Sequence, residues 1–197
     1  MACRGKSKQA GSSQRLKKDR ISELPDPLIR HTLSHLSTKE AVSTSLLSTR
    51  WRTQWLWVPN LELSSTNFQD LDAFVKFGES FFDSSRLSCI HKLKLALDGN
   101  FKEDDVASYL TSWIDAATKR KLQHLHVHCP EFHYSSTMPL SLYTCETLVT
   151  LKLSEVSLQD PGSVSVTLPC LKTMHLKNLW YPVETRSLSL LVLSWKS

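Results

Sequence analysis

The sequence has little glycine and no glycine-rich loop. Only 5 of its 197 residues are glycine, and none lies in a Gly-x-Gly-x-x-Gly or Walker-type phosphate loop. The 5 cysteines are an odd number and form no Cys-x-x-Cys pair, which argues against a disulfide framework or a zinc ribbon and suits reduced thiols. No run approaches the ~18 apolar residues of a membrane-spanning helix, and the polar, basic N-terminus lacks the apolar core of a secretory signal. These absences predict no nucleotide cofactor and no membrane partner.

Positive charge is concentrated at the N-terminus. The chain carries 24 Lys and Arg against 19 Asp and Glu, a net charge of +5. Residues 1–20 hold seven of the bases and one of the acids, so residues 21–197 keep 17 bases against 18 acids, a net charge of −1. We predict that residues 1–18 form a disordered basic tail, which could serve as a nuclear address. Residues 4–20 could also touch nucleic acid, but the nearly neutral remainder argues against a nucleic-acid-binding domain.

Residues 21–63 have the pattern of a compact helical unit. One helical stripe of apolar residues runs through Leu24, Leu28, Ile29, Leu33 and Leu36. The run Ser37-Thr38-Lys39-Glu40 fits a capping box, and it predicts a second helix that extends through Val42 to Leu47. A third short element carries Trp51 and ends before Pro59. A unit of about 40 residues is marginal as an independent core, so we expect part of its apolar surface to contact a partner or a second domain.

A short apolar phrase recurs in the rest of the chain. It places apolar residues at its first, fourth and sixth positions, and it starts at Ile90, Leu122, Leu148 and Leu171, with separations of 32, 26 and 23 residues. The later separations match the ~20–29 residues of leucine-rich repeats. Each phrase predicts a strand whose alternate residues point inwards, so that stacked repeats bury a continuous core. Helices are predicted over 67–82 and 104–118.

The polar positions of these phrases are rich in lysine and histidine. If the repeats stack in register, the side chains form a basic stripe along one face. Lysine and protonated histidine pair well with acidic or phosphorylated segments, which predicts a substrate surface. A solvated strand face with no ligand would carry similar residues, and this alternative stays open. The candidate substrate-binding residues are Lys94, His124, His126, Lys152 and His175.

Three alternating histidines at 124–128 raise the question of a metal site. Side chains at i and i+2 of one strand lie ~6.6 Å apart, whereas tetrahedral zinc sites usually draw their ligands from two elements. The chain also lacks a Gly-x-Ser-x-Gly elbow and a catalytic cysteine signature. We therefore predict no metal, no cofactor and no catalytic residue.

Several runs of the helical unit closely resemble the F-box of plant F-box/leucine-rich-repeat proteins of the F-box/FBD/LRR type. The matching runs are 19–26, 33–42, 47–52 and 56–61, and Pro27 and His31-Thr32 depart from the usual pattern. Residues 113–125 are also similar to this family. The resemblance implies an α+β fold, with a three-helix F-box at 19–63 followed by a short α/β leucine-rich-repeat solenoid at 64–197. After Trp180 the sequence departs from the family, so we expect a short or C-terminally truncated form with an incomplete repeat region.

The resemblance implies the substrate-recognition subunit of an SCF-type E3 ubiquitin ligase, located in the nucleus, the cytoplasm or both. The F-box would dock onto a Skp-type adaptor and, through it, onto cullin and RING subunits, while the repeats would bind a target protein. The subunit itself would be non-catalytic. A truncated leucine-rich-repeat binding module without ligase function is the alternative. The candidate adaptor-binding residues, some of which must form the small core, are Leu24, Pro25, Leu28, Ile29, Leu33, Leu36, Val42, Leu46 and Trp51.

Overall fold

The structure is a computed structural model, and the part of it described here comprises residue 21 and residues 23–82, 89–98, 103–130 and 137–180, with only the backbone of 103–106. The predicted basic tail of residues 1–18 lies outside the described residues. So does the apolar ending that follows Trp180.

Two short α-helices open the chain. Helix α1 (Asp26–Ser34) starts directly after Pro25 and has a second proline in its first turn, where a missing N–H costs little. Helix α2 (Thr38–Ser43) has the predicted capping box. The Ser37 side chain accepts a hydrogen bond from the Glu40 backbone N–H at 3.3 Å, and the Glu40 carboxylate accepts one from the Ser37 N–H at 2.9 Å.

The second α-helix ends earlier than the sequence predicts. Thr44–Leu46 forms a 3₁₀-helix, and Trp51–Trp57 forms another. The Ser43 hydroxyl donates to the Lys39 carbonyl at 2.8 Å, and the Thr44 hydroxyl donates to the Ala41 carbonyl at 2.6 Å. Hydroxyl groups that bond back to helical carbonyls weaken a continuing α-helix, which accounts for the early end. This helical unit has a small core of its own, made of Ile29, Leu33, Ala41, Trp51 and Val58.

A five-stranded parallel sheet follows the helical unit. Its strands, in spatial order, are β1 (Asn60–Ser64), β2 (Lys92–Ala96), β3 (His124–His128), β5 (Thr150–Ser154) and β7 (Thr173–Lys177). The four predicted phrases supply β2, β3, β5 and β7, and they pair without a register shift. The chain therefore combines helices and strands as predicted, and all five strands of this sheet are parallel.

Strand β1 belongs to a fifth copy of the phrase, and this copy was not predicted from the sequence. Val58, Leu61 and Leu63 occupy the three apolar positions, 32 residues before the copy at Ile90. The copy was hidden because it overlaps the end of the helical unit. It was nevertheless visible as the same spacing of apolar residues.

Two helices cover the apolar side of the sheet. Helix α3 (Leu71–Phe82) begins later than predicted, because Ser65–Asn67 forms a 3₁₀ turn and the Asp70 carboxylate accepts the Ala73 N–H at 2.8 Å as a cap. Helix α4 (Glu103–Thr118) matches its predicted span. A small second parallel sheet, which was not predicted, pairs β4 (Thr137–Met138) with β6 (Ser157–Leu158).

The helical unit and the sheet are joined by direct contacts. The Thr38 hydroxyl accepts a hydrogen bond from the Glu62 backbone N–H at 2.7 Å. Trp55 packs against the cores of both parts and stacks on Phe77 of α3, with ring centroids 5.2 Å apart. The joined parts leave two surfaces open to a partner: the outer side of the helical unit and the polar face of the sheet.

Candidate protein-interaction surfaces

Exposed apolar side chains are concentrated in the helical unit. Among the described residues, seven large hydrophobic side chains are exposed, and six of them lie before β1. Leu46 is 88% exposed, Leu47 62% and Leu28 52%. The others are Ile21, Leu36 and Trp57, while Trp180 is the one outside the unit. Monomeric proteins seldom leave so much apolar surface uncovered in so small a region, which points to a protein partner.

The nine predicted adaptor contacts divide by burial. Ile29, Leu33 and Trp51 are buried in the core of the helical unit and are not presented to a partner. Leu24 and Val42 are half-buried, whereas four are exposed: Pro25, Leu28, Leu36 and Leu46. The sequence did not indicate Leu47, Ile21 and Trp57 as candidate adaptor contacts, although their side chains are exposed. Their exposure carried no sequence signal, because periodicity does not say which apolar positions a small unit leaves uncovered.

Charged groups lie beside the exposed apolar residues. The Arg30 guanidinium stacks over the Trp57 ring at 4.2 Å and donates to the Gln54 side chain at 3.1 Å. Arg50 donates to the Asp26 carboxylate at 2.6 Å, and this hydrogen bond holds the pKa of Asp26 below its usual range. The helical unit thus offers both exposed apolar side chains and charged groups, which protein interfaces combine.

The predicted basic stripe lies on the polar face of the sheet. The central row crosses all five strands in register and consists of Glu62, Lys94, His126, Lys152 and His175. The row on one side contains Lys92 and His124, and the row on the other side contains His128 and Lys177. Side chains at alternate positions of a strand share a face, so all three rows point away from the core. The five candidate substrate-binding residues are therefore brought together on one face.

Two carboxylates lie among the basic side chains at the β1–β2 end of the sheet face. Glu62 on β1 forms an ion pair with Lys94 on β2, and Asp98 after β2 lies 3.8 Å from the His128 imidazole. Burial lowers the pKa of His126, and the charges of neighbouring side chains lower it further. Those neighbours are Lys94, Lys152, His128 and Lys92. Burial and these neighbours therefore favour the neutral form of His126.

Within the described part of the chain, no group of three or more His, Cys, Asp or Glu side chains is arranged to hold a metal ion. Cys129 is buried on the opposite side of β3 from the histidines, and burial raises the pKa of its thiol to about 12. A thiol with such a pKa is protonated at neutral pH and is a poor nucleophile or metal ligand. No helix among the described residues has the length and apolar character to cross a membrane.

Comparison with known proteins matches the helical unit to a family model and most of the chain to plant relatives. The family model described as F-box domain matches residues 21–63. An FBD-associated F-box protein of Arabidopsis thaliana is 60% identical over 164 residues, which cover 83% of this chain and 38% of the relative. Two F-box/FBD/LRR-repeat proteins of the same plant are 56% and 53% identical, covering 89% and 85% of this chain and 38% and 36% of the relatives. No solved structure matches the chain.

The chain spans little more than a third of the length of these relatives. Within that share, the similarity extends through the helical unit and continues across most of the remaining sequence. The helical unit therefore contains an F-box domain, and the chain is a homologue of the plant F-box/FBD/LRR-repeat proteins.

Proposed function

We propose that this chain is the substrate-recognition subunit of an SCF-type E3 ubiquitin ligase. F-box proteins generally act in such ligases, and the F-box domain generally binds a Skp-type adaptor. In this proposal the F-box, residues 19–63, docks onto the adaptor, which connects the chain to cullin and RING subunits. The chain itself is non-catalytic and acts in the nucleus, the cytoplasm or both.

The observation that carries the proposal is the concentration of exposed apolar side chains in the F-box. Burial of a leucine side chain at an interface contributes about 1.5–3 kcal/mol. Leu28, Leu46 and Leu47 are each more than half exposed. A complex in which the adaptor covers these three leucines would be stabilised, because apolar surface that the free chain exposes to water would become buried.

We further propose that residues 64–197 are a leucine-rich-repeat region whose polar sheet face binds the target. Four copies of one apolar phrase lie in this region and a fifth, at 58–63, directly precedes it; together they form adjacent parallel strands with identical register, as stacked repeats would. The residues proposed to contact the target are Lys94, His124, His126, Lys152 and His175. Tethering a target beside the ubiquitin-carrying enzyme raises its effective concentration there, so the receptor needs no catalytic group of its own.

The test is co-expression with a plant Skp-type adaptor, followed by affinity capture and size-exclusion chromatography. The wild-type chain is expected to form a stoichiometric complex. The Leu28→Asp/Leu46→Asp double variant is expected to weaken the complex by about a hundredfold, because it places two charges in a desolvated interface. Both positions are exposed, so the variant should keep its circular dichroism spectrum. Leu33→Asp would be uninformative, because Leu33 is fully buried.

The matched control is Gln69→Asp/Gln159→Asp. It adds the same charge at two exposed positions outside the F-box and should bind the adaptor as the wild type does. If the folded wild-type chain forms no complex, or if the leucine and glutamine variants bind equally, the adaptor-binding proposal is wrong. Ubiquitination of captured targets by the reconstituted ligase then distinguishes a receptor from a module that only occupies the adaptor.

A further inference from the structure

Positive charge at one end of the sheet face is already neutralised. Lys94 on β2 is paired with Glu62 on β1, and His128 on β3 lies beside Asp98. An anionic ligand at this end would have to displace a carboxylate or tolerate its repulsion. The β1–β2 end is therefore a poor place to bind a negative charge.

The opposite end of the face carries lysine and histidine side chains without such partners. Lys152 on β5 and His175 on β7 are direct neighbours in register, and His126 on β3 is the neighbour of Lys152 on its other side. Adjacent strands are ~4.8 Å apart, so these three side chains start close together. Lys177, two residues further along β7, points to the same face. Among the described residues, none of these four side chains has an ion pair.

We propose that this lysine and histidine cluster, formed by His126, Lys152, His175 and Lys177, binds a phosphorylated serine or threonine of the target protein. The inference rests on the proposed function, in which the polar sheet face is the target-binding surface. It adds the chemical class of the ligand and narrows the site from the whole face to the β3–β5–β7 end.

The compactness of the cluster favours phosphate over an acidic run. A phosphoserine concentrates a charge of about −1.5 to −2 on one group with three acceptor oxygens, which donors from neighbouring strands can share. A run of aspartates or glutamates spreads its charge along an extended chain. A run that lay across the strands would approach Glu62 and Asp98, which would repel it.

The environment of His126 supports this placement. Burial and the positive charges of Lys94, Lys152, His128 and Lys92 lower its pKa. A neutral imidazole donates one N–H to a phosphate oxygen, and a nearby dianion would favour its protonation and a second charge-assisted contact.

The experiment is a titration of the full chain with three peptides, followed through the histidine ring resonances by NMR. The probe is acetyl-Gly-Gly-phosphoserine-Gly-Gly-amide, and the comparison peptides carry serine or three aspartates in place of phosphoserine. The phosphopeptide is expected to move the His126 and His175 resonances and to bind about tenfold more tightly than the aspartate peptide. The serine peptide should cause no shift.

Two variants separate the site from overall charge. Lys152→Gln removes one positive charge from the cluster and should weaken phosphopeptide binding about tenfold. Lys119→Gln removes the same charge directly after α4, on the other side of the sheet, from a lysine that is already paired with Asp115, and should change binding less than about twofold. Equal effects of the two variants, or equal binding of the phosphopeptide and the aspartate peptide, would overturn the inference.

Adaptor binding is measured on the same preparations. Lys152→Gln should form the adaptor complex normally, because the F-box is unchanged. Absence of phosphopeptide binding together with intact adaptor binding would refute the phosphate site alone. Failure of the adaptor complex would refute the proposed function instead.

Discussion

At the scale of single residues, His126 couples the charge of the sheet face to stability. Its folded-state pKa lies below the ordinary value because of burial and the surrounding cations. The unfolded chain therefore binds a proton more readily than the folded chain. The free energy of unfolding therefore has its full value at pH values above the ordinary histidine pKa of about 6.5. It decreases as the pH falls from there towards the folded-state pKa, because the unfolded chain takes up the proton first.

This linkage predicts the behaviour of His126→Gln. Lowering the pH from 7.5 to 5.5 should reduce the melting temperature of the wild type by more than that of the variant. Thermal unfolding followed by circular dichroism at the two pH values measures the difference. A variant that loses as much stability as the wild type would show that the proton uptake belongs to other groups.

Burial divides single residues in a way that periodicity does not reveal. Leu28 and Ile29 are adjacent in α1, and both belong to the predicted apolar stripe, yet Leu28 is 52% exposed and Ile29 is fully buried. A stripe on a helix of nine residues is wider than the face that two other short helices can cover. The sequence therefore predicts the members of the stripe but not the boundary between core and interface.

At the scale of secondary-structure elements, the packing of α3 against α4 depends on one glycine. A methyl group at Gly78 would lie well inside van der Waals contact with the indole ring of Trp113. That ring is nearly fully buried, and it stacks on Phe82 with centroids 5.7 Å apart. The indole therefore has little room to move away.

Gly78→Ala is consequently expected to destabilise the chain, although alanine is the better helix former by about 1 kcal/mol. Overpacking of a filled core costs about 1–3 kcal/mol and should outweigh that gain. Urea unfolding followed by circular dichroism measures the net change. Ser80→Ala, at an exposed position of the same helix, is the control and should be neutral or slightly stabilising. An increase in stability for Gly78→Ala would contradict this packing.

Most elements were predictable because local patterns determine them. The capping box at Ser37 and Glu40 specified the start of α2, and alternating apolar residues specified the strands. The end of α2 was not predicted, because hydroxyls at Ser43 and Thr44 compete for its carbonyls. The small β4–β6 sheet was missed because its strands have only two residues each.

At the scale of the whole molecule, Trp55 packs against both the F-box core and the sheet core. It stacks on Phe77 and lies 6.3 Å from the ring of Phe81. Trp55→Ala should lower the free energy of unfolding by about 3 kcal/mol. It should also separate the unfolding of the F-box from that of the sheet, because the two cores lose their common side chain.

Differential scanning calorimetry of the full chain tests this coupling. A single transition in the wild type and two in Trp55→Ala are the expected results. Trp57→Ala removes the same type of side chain from an exposed position beneath Arg30, and it should cost no more than about 1 kcal/mol. If Trp55→Ala and Trp57→Ala unfold alike, the two parts are coupled by other contacts.

The sequence by itself determined the order of helices and strands, the repeated apolar phrase and the similarity to F-box proteins. These properties depend on residues close together in the chain, whose spacing is preserved in any fold. Only the tertiary structure decided which F-box leucines stay exposed and that Glu62 neutralises Lys94. Both depend on segments distant in sequence: burial depends on what covers a side chain, and an ion pair depends on which strand lies alongside. That Lys152 has no ion pair among the described residues thus follows from sheet order, which places β5 and β7 away from the acidic strand β1.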